Sequence, residues 1–232
     1  MTLEVLRYEK KYLINQPQFY RLGSRLASVM HADPNNRGDG YVIRSLYFDS
    51  IDDRDYFEKL EGIEVRRKIR LRTYGPGSTT AKLEMKQKEG ALQKKRSVTL
   101  PREQAERLVR GDYGVLLTRS EPLAHECYAM MATHCYLPRS IVEYRRKAFI
   151  ASENKTRVTL DHHIVATEAN FDLFSATLPL YPVLDPLLAV LEVKYNGFLI
   201  SYIKDLLSDA GTDELSVGKY SLSRSVGLHY TF

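Results

Sequence analysis

The sequence predicts an α+β fold, mainly antiparallel β, in which roughly eight strands close into a narrow barrel with helices flanking it. Two observations carry this prediction. Lys68, Arg70 and Arg72 fall at every second position with Ile69 and Leu71 between them, the period of a strand with one charged and one apolar face. The same alternation recurs in Lys82–Lys88, Lys94–Arg96, Tyr144–Arg146, Arg157–Asp161 and Leu191–Tyr195. Closure would remove the edges that so much β structure otherwise exposes.

Taken in order, Leu3 to Ile14 reads as a strand, with Arg7, Glu9 and Lys11 on one side. Phe19, Leu22, Leu26 and Val29 or Met30 then mark one face of a helix over Gln18 to Met30. The turn-rich run Asp33 to Gly40 leads into a strand at Tyr41 to Asp49, and Ser50 to Leu60 reads as a short helix closed by Gly62. Val65 to Tyr74 and Thr79 to Lys88 form a hairpin around Gly75-Pro76-Gly77, and Leu92 to Leu100 is the next strand. Helices are expected from Pro101 to Gly111 and from Pro122 to Tyr136. Ile141 to Ala151 pairs with Thr156 to Thr167. A Pro-punctuated loop, Asp172 to Asp185, precedes a strand at Leu188 to Tyr195 and a helix at Ser201 to Ser208. The tail Val217 to Phe232 shows little periodicity, and no solenoid repeat or low-complexity tract appears.

At 232 residues the chain suits one large domain, 1–232. Lys and Arg number 34 against 29 Asp and Glu, so the net charge of +5 is modest and its placement decides what it binds. The N-terminus carries Glu4, Arg7, Glu9, Lys10 and Lys11 and lacks the apolar core of a signal peptide, and Asp185-Pro186 interrupts the best apolar run. A cytoplasmic protein without a membrane span is expected. Cys127 and Cys135 would lie roughly 12 Å apart along a helix, too far for a disulfide, and read as reduced core thiols. His162 and His163, as neighbours in a strand, should point to opposite faces and serve structure or surface.

With the charged faces turned inward, Arg7, Glu9, Lys11, Lys68, Arg70, Arg72, Lys86, Lys94, Arg96, Tyr144, Arg146, Arg157 and Lys194 would line the interior. Cations gathered from separate strands repel one another unless a multiply charged anion lies among them. Glu9, Glu84 and Glu192 supply the hard oxygen donors a divalent cation needs beside phosphate, or else plain ion-pair partners. Tyr47, Phe48 and Tyr74 read as core or pairing aromatics, and Arg66, Arg67, Lys88, Lys95 and Arg145 as an outer solvated face or as contacts at the mouth of the barrel. Asp161 reads as a cap or as a partner for an interior Arg, rather than as a metal ligand. The aromatics are not interleaved with the basic positions, which argues against nucleic acid.

Arg7-Tyr8-Glu9-Lys10-Lys11-Tyr12, Ser45 to Asp49, Lys68 to Tyr74, Leu83 to Lys86, Tyr144 to Phe149, Arg157 to Asp161, Leu191 to Lys194 and Lys219-Tyr220 follow one another in the order found in the catalytic domain of the vacuolar transporter chaperone family. The chain resembles that family over nearly its whole length. The resemblance implies a triphosphate-tunnel metalloenzyme fold and a polyphosphate polymerase that uses ATP, inorganic phosphate or polyphosphate, and Mn²⁺ or Mg²⁺. It implies phosphate contacts for Lys11, Arg70, Arg72, Lys86, Lys94, Tyr144, Arg146, Arg157 and Lys219, and a metal at Glu192. Lys95 would replace Lys94 if the register slipped by one. Two departures stand out: Gly218 replaces a Ser that commonly precedes the Lys, and the paired-glutamate signature of the tunnel triphosphatases is missing from the first strand. A tunnel triphosphatase and a non-catalytic polyphosphate-binding module are the competing readings. Coupling to a membrane would need a separate partner.

Overall fold

The computed structural model describes residues 7–90, 92–211 and 218–228, with the side chains of residues 7, 92, 209 and 226–228 outside the description. The fold is α+β, with a mainly antiparallel sheet and flanking helices. The chain packs as two compact units, each assembled from separated stretches: Met1–Val42, Tyr144–Ile164 and Leu184–Val217 in the first, and Ile43–Glu143, Val165–Val183 and Gly218–Phe232 in the second.

The first unit opens with β1 (Arg7–Asn15) and α1 (Gln16–Val29). Asn15 caps α1: its side chain accepts from Gln18 N–H while the Gln18 side chain accepts from Asn15 N–H. Pro17 sits in the first turn, where its missing donor is harmless. A two-residue strand, β2 (His31–Ala32), follows. β3 (Tyr41–Asp49), α2 (Arg54–Leu60), β4 (Val65–Thr73), β5 (Thr80–Glu89), β6 (Leu92–Pro101), α3 (Arg102–Val109), a 3₁₀ turn at Tyr113–Thr118 and α4 (Pro122–Thr133) build most of the second unit. β7 (Leu137–Ile150) and β8 (Arg157–Thr167) run through both. β9 (Tyr181–Pro182) belongs to the second unit, and β10 (Leu188–Asn196) and α5 (Ser201–Leu207) to the first.

In the first unit the strand order is β1-β10-β8-β7, and in the second β7-β3-β4-β5-β6. Among the described residues this path has two ends, β1 and β6, so the strands form an open order rather than a demonstrated closed ring.

Each unit buries the apolar side of its strands. In the first, Val158, Leu160, Leu191 and Val193 pack with Phe19, Leu22 and Leu26 of α1 and Ile203 and Leu207 of α5. In the second, Leu46, Ile69, Leu71, Leu83, Met85 and Val98 pack with Ala105 and Leu108 of α3 and Ala124, Cys127 and Met131 of α4. Burial pushes the Cys127 thiol up to about 12, while Cys135 is exposed, so only one of the two cysteines is a core thiol.

The tail is the largest departure from the sequence reading, for α6 spans Lys219–Leu228. Its Ser-rich sequence has weak intrinsic helicity. Tertiary bonds hold it instead: Tyr220 Oη donates to Asp49 Oδ2 at 2.7 Å, and Arg224 pairs with Asp53 at 2.6 Å and Glu168 at 3.0 Å.

Candidate functional site

The register of the second unit places its charges. Directly opposed residues in an antiparallel pair share a face. Tyr47 lies opposite Arg70 and Ser45 opposite Arg72, while Lys68 faces Lys86 and Arg70 faces Glu84. Lys86 in turn lies opposite Lys95. One face thus carries Tyr47, Lys68, Arg70, Arg72, Glu84, Lys86 and Lys95. The other carries Leu46, Ile69, Leu71, Leu83 and Met85, all in the core.

This register corrects two assignments. Lys94 and Arg96 lie opposite Gln87 and Met85, on the face covered by α4, where Arg96 binds Glu126 at 2.5 and 2.7 Å and Gln87 at 2.7 Å. Lys95, expected on the outer face, sits with Lys86 and bonds Glu84. The register sets Leu92 opposite Glu89, which places the whole strand one residue away from the expectation.

Glu84 is the hub of this face and is 1% exposed. It takes the Arg70 guanidinium at 2.6 Å and the Lys95 ammonium, with Arg72 at 3.7 Å. Burial alone would raise its carboxyl, but the Arg70, Arg72 and Lys95 charges outweigh that and hold it well below the usual carboxylate range. Its oxygens serve these cations, the ion-pair role that the sequence offered beside the metal one.

Arg70 also donates to Tyr47 Oη at 3.0 Å. Arg72 is less well matched: it is 9% exposed, its Nε is buried without a hydrogen bond, and its contact with Glu84 is the long one. Lys68 lies 5.3 Å from the centre of the Tyr220 ring, and desolvation, helped by Lys59, depresses its ammonium to about 8. Tyr220 stacks on Tyr47 with centroids 4.9 Å apart, which sets Lys219 at the head of α6 beside this wall of cations. At Gly218 a Cβ would stand 3.7 Å from Lys68 Nζ, an ordinary contact, so the missing side chain leaves that space unfilled.

The first unit carries a second charged face. β1 and β10 set Glu9 opposite Lys194 and Lys11 opposite Glu192, a checkerboard of alternating sign. Lys194 bonds Glu192 at 2.6 Å and lies 3.3 Å from Glu9, and Lys11 bonds Glu9 and lies 3.9 Å from Glu192. β8 adds Arg157 opposite Lys194 and Thr159 opposite Glu192.

Arg146 grips Asp161 with two parallel bonds of 2.6 and 2.7 Å, has Glu192 at 3.9 Å and lies over the Tyr144 ring at 5.4 Å. Of the two roles read for Asp161 in the sequence, this is the pairing with an interior Arg. Arg157 reaches Asp33 at 2.8 Å and Tyr41 Oη at 3.1 Å. Neither Asp33 nor Tyr41 stood out in the sequence, since each lies far along the chain from its partner. Gly40 supports this face by close approach: its φ is +110°, and a Cβ there would meet the Arg146 carbonyl oxygen at 2.3 Å. The side chain of Arg7 lies outside the described residues.

Among the described residues no group of three or more His, Cys, Asp or Glu side chains is arranged to hold a metal ion alone. Glu192 and Glu9 fit a hard divalent cation only when phosphate oxygens complete its shell.

Both faces suit a multiply charged anion. Guanidinium groups can clamp phosphate oxygens in bidentate fashion, and ammonium groups neutralise charge without fixed geometry. No helix among the described residues is long and apolar enough to cross a membrane.

No curated protein matches the chain. Among solved structures, the chain is similar to a Bacillus halodurans protein described provisionally as an adenylate cyclase, with a TM-score of 0.55, 13% identity, and coverage of 92% of this chain and 94% of that one. A Pyrococcus horikoshii OT3 protein follows at a TM-score of 0.49 and 9% identity, over 95% and 99% of the two chains. At such identities the first likeness speaks to fold alone. The family model described as the VTC domain matches residues 6–226, and the chain belongs to the VTC domain family.

Proposed function

We propose that this chain is a polyphosphate polymerase: a single functional domain, 1–232, whose strands close as a triphosphate tunnel and which transfers the γ-phosphate of ATP to the end of a growing polyphosphate chain. The observation that carries this reading is Arg72, a buried guanidinium with an unbonded Nε and one 3.7 Å ion pair, on the same face as Lys68, Arg70, Lys86 and Lys95. Such a group is costly unless an anionic ligand satisfies it.

In the reaction an oxygen of the acceptor's terminal phosphate forms a new bond to the γ-phosphorus, the bond from that phosphorus to the β,γ-bridging oxygen breaks, and ADP leaves with the electron pair. The acceptor is already anionic at neutral pH, so the protein's task is alignment and charge neutralisation rather than proton removal. Arg70, Arg72, Lys86 and Lys219, with Lys95 in place of Lys94, are assigned to phosphate in the second unit. Lys11, Tyr144, Arg146, Arg157 and Lys194 are assigned to it in the first. Glu192, with Glu9, would hold Mn²⁺ or Mg²⁺, which supplies Lewis-acid neutralisation of phosphate oxygens when bound. ATP and inorganic phosphate or polyphosphate are the partners, nucleic acid is not, and the setting is cytoplasmic with any membrane partner a separate chain.

The test is incubation of purified protein with γ-³²P-ATP and Mn²⁺, resolved to separate orthophosphate from polymer, alongside Arg72→Ala and Glu192→Ala. A labelled polymer ladder lost in both variants is the expected result. Orthophosphate alone would replace the polymerase with a triphosphatase. Tight polyphosphate binding without turnover would replace it with a binding module.

A further inference from the structure

His162 and His163 do not point to opposite faces. His163 has φ +49°, in the left-handed region that β-strand residues avoid, and this breaks the alternation of β8. As a result the two Nδ1 atoms stand 2.6 Å apart, with ring centroids 4.8 Å apart. Non-glycine residues held in this region are strained and persist only where the surroundings enforce them.

His162 is 7% exposed and packs on the Phe19 ring at 4.7 Å, whereas His163 is exposed. His162 Nε2 lies 2.9 Å from the Asp39 carbonyl oxygen. A carbonyl only accepts, so Nε2 carries the proton and Nδ1 presents its lone pair. Metal-bound imidazoles are oriented in this way, with the distal N–H tied to a carbonyl or carboxylate.

We propose that His162 and His163 form a transition-metal site, separate from the anion-binding faces, that takes a first-row ion of square-planar preference such as Cu(II) or Ni(II) through both Nδ1 atoms. Cis nitrogens about a square-planar ion with bonds of ~2.0 Å lie ~2.8 Å apart, a few tenths of an ångström beyond the observed spacing; a tetrahedral ion needs ~3.3 Å and a larger opening. In the metal-free pair one proton lies between the two nitrogens, on His163. Metal entry moves that proton to His163 Nε2, so two neutral imidazoles remain and no net proton is released. Among the described residues no third His, Cys, Asp or Glu side chain completes the set, which leaves the other positions to water.

This inference does not depend on the polymerase reading. The experiment is titration of tag-free protein with Cu(II) alone at pH 7.5, followed by calorimetry and electron paramagnetic resonance. One equivalent with hyperfine coupling to two imidazole nitrogens is expected, unchanged in Glu192→Gln. His163→Asn tolerates the left-handed backbone and so keeps the fold, yet it should weaken Cu(II) binding at least about tenfold. Equal affinity in His163→Asn, a spectrum without two imidazole nitrogens, or loss of the ion in Glu192→Gln would each overturn the proposal.

Discussion

The Tyr220 hydroxyl donates to Asp49 Oδ2 at 2.7 Å, with both side chains almost fully buried. Asp49 ends β3 and also accepts from the backbone N–H groups of Ser50, Asp55 and Tyr56. A single carboxylate therefore joins the end of a strand, the first turn of α2 and the head of α6. Tyr220→Phe removes one of these bonds while the three backbone donors still satisfy Asp49. Its cost should be about 1–2 kcal/mol in urea denaturation. Hydrogen exchange should speed up in α6 ahead of β4 and β5, and unchanged protection of α6 would show that Arg224 alone secures it.

Asp55 sits 0% exposed beside Asp49, its Oδ1 accepting from Tyr136 Oη at 2.9 Å and its Oδ2 buried without a partner. Desolvation first, and then the Asp49 charge, raise its carboxyl from 3.8 to about 7. The folded state thus holds a proton that the unfolded state has released over this interval. Stability should fall as pH rises from about 4 to 7 and level off above that, a trend opposite to that of a salt-bridged carboxylate. Each tenfold difference in proton affinity is worth about 1.4 kcal/mol, so the contribution is a few kcal/mol. Asp55→Asn keeps an acceptor for Tyr136 and should flatten this part of the profile. Denaturation at pH 5.0 and 7.5 measures it, and equal slopes in both proteins would assign the proton elsewhere.

Much of the fold was readable because strand alternation is a local property. Lys68-Ile69-Arg70-Leu71-Arg72 announces its two faces without knowledge of any neighbour, and β4 and β5 pair as expected. The error at Lys94 and Arg96 has the same origin in reverse. Their own alternation is sound, but the face it addresses depends on the register against β5, where a shift of one residue exchanges Lys94 for Lys95. α6 was hidden because its helicity comes from Asp49, Asp53 and Glu168, far back in the chain, rather than from its own residues. The His162 and His163 pair was hidden by a single backbone angle, which no side-chain pattern encodes.

Glu84 separates structural from ligand-directed charge on the second unit's cationic face. Its carboxylate lies among Arg70, Arg72 and Lys95, and its depressed pKa means that its contribution to stability is present above the ordinary value of 4.5 and is lost as pH falls below it. Glu84→Gln keeps the shape and removes the charge. Taking one partner from a buried pair costs about 3–5 kcal/mol when nothing replaces it, and the amide oxygen should recover part of that. The freed cations should then draw an anion more strongly. Sodium tripolyphosphate should raise the melting temperature of Glu84→Gln by more than it raises that of the unaltered chain, since a ligand stabilises according to its affinity for the folded state. A smaller rise in the variant would mean that Glu84 orders Arg70 and Arg72 for phosphate rather than competing with it. Arg70→Lys would then be expected to lose tripolyphosphate binding as well, because the ammonium cannot hold both Glu84 and Tyr47 in the forked geometry seen here.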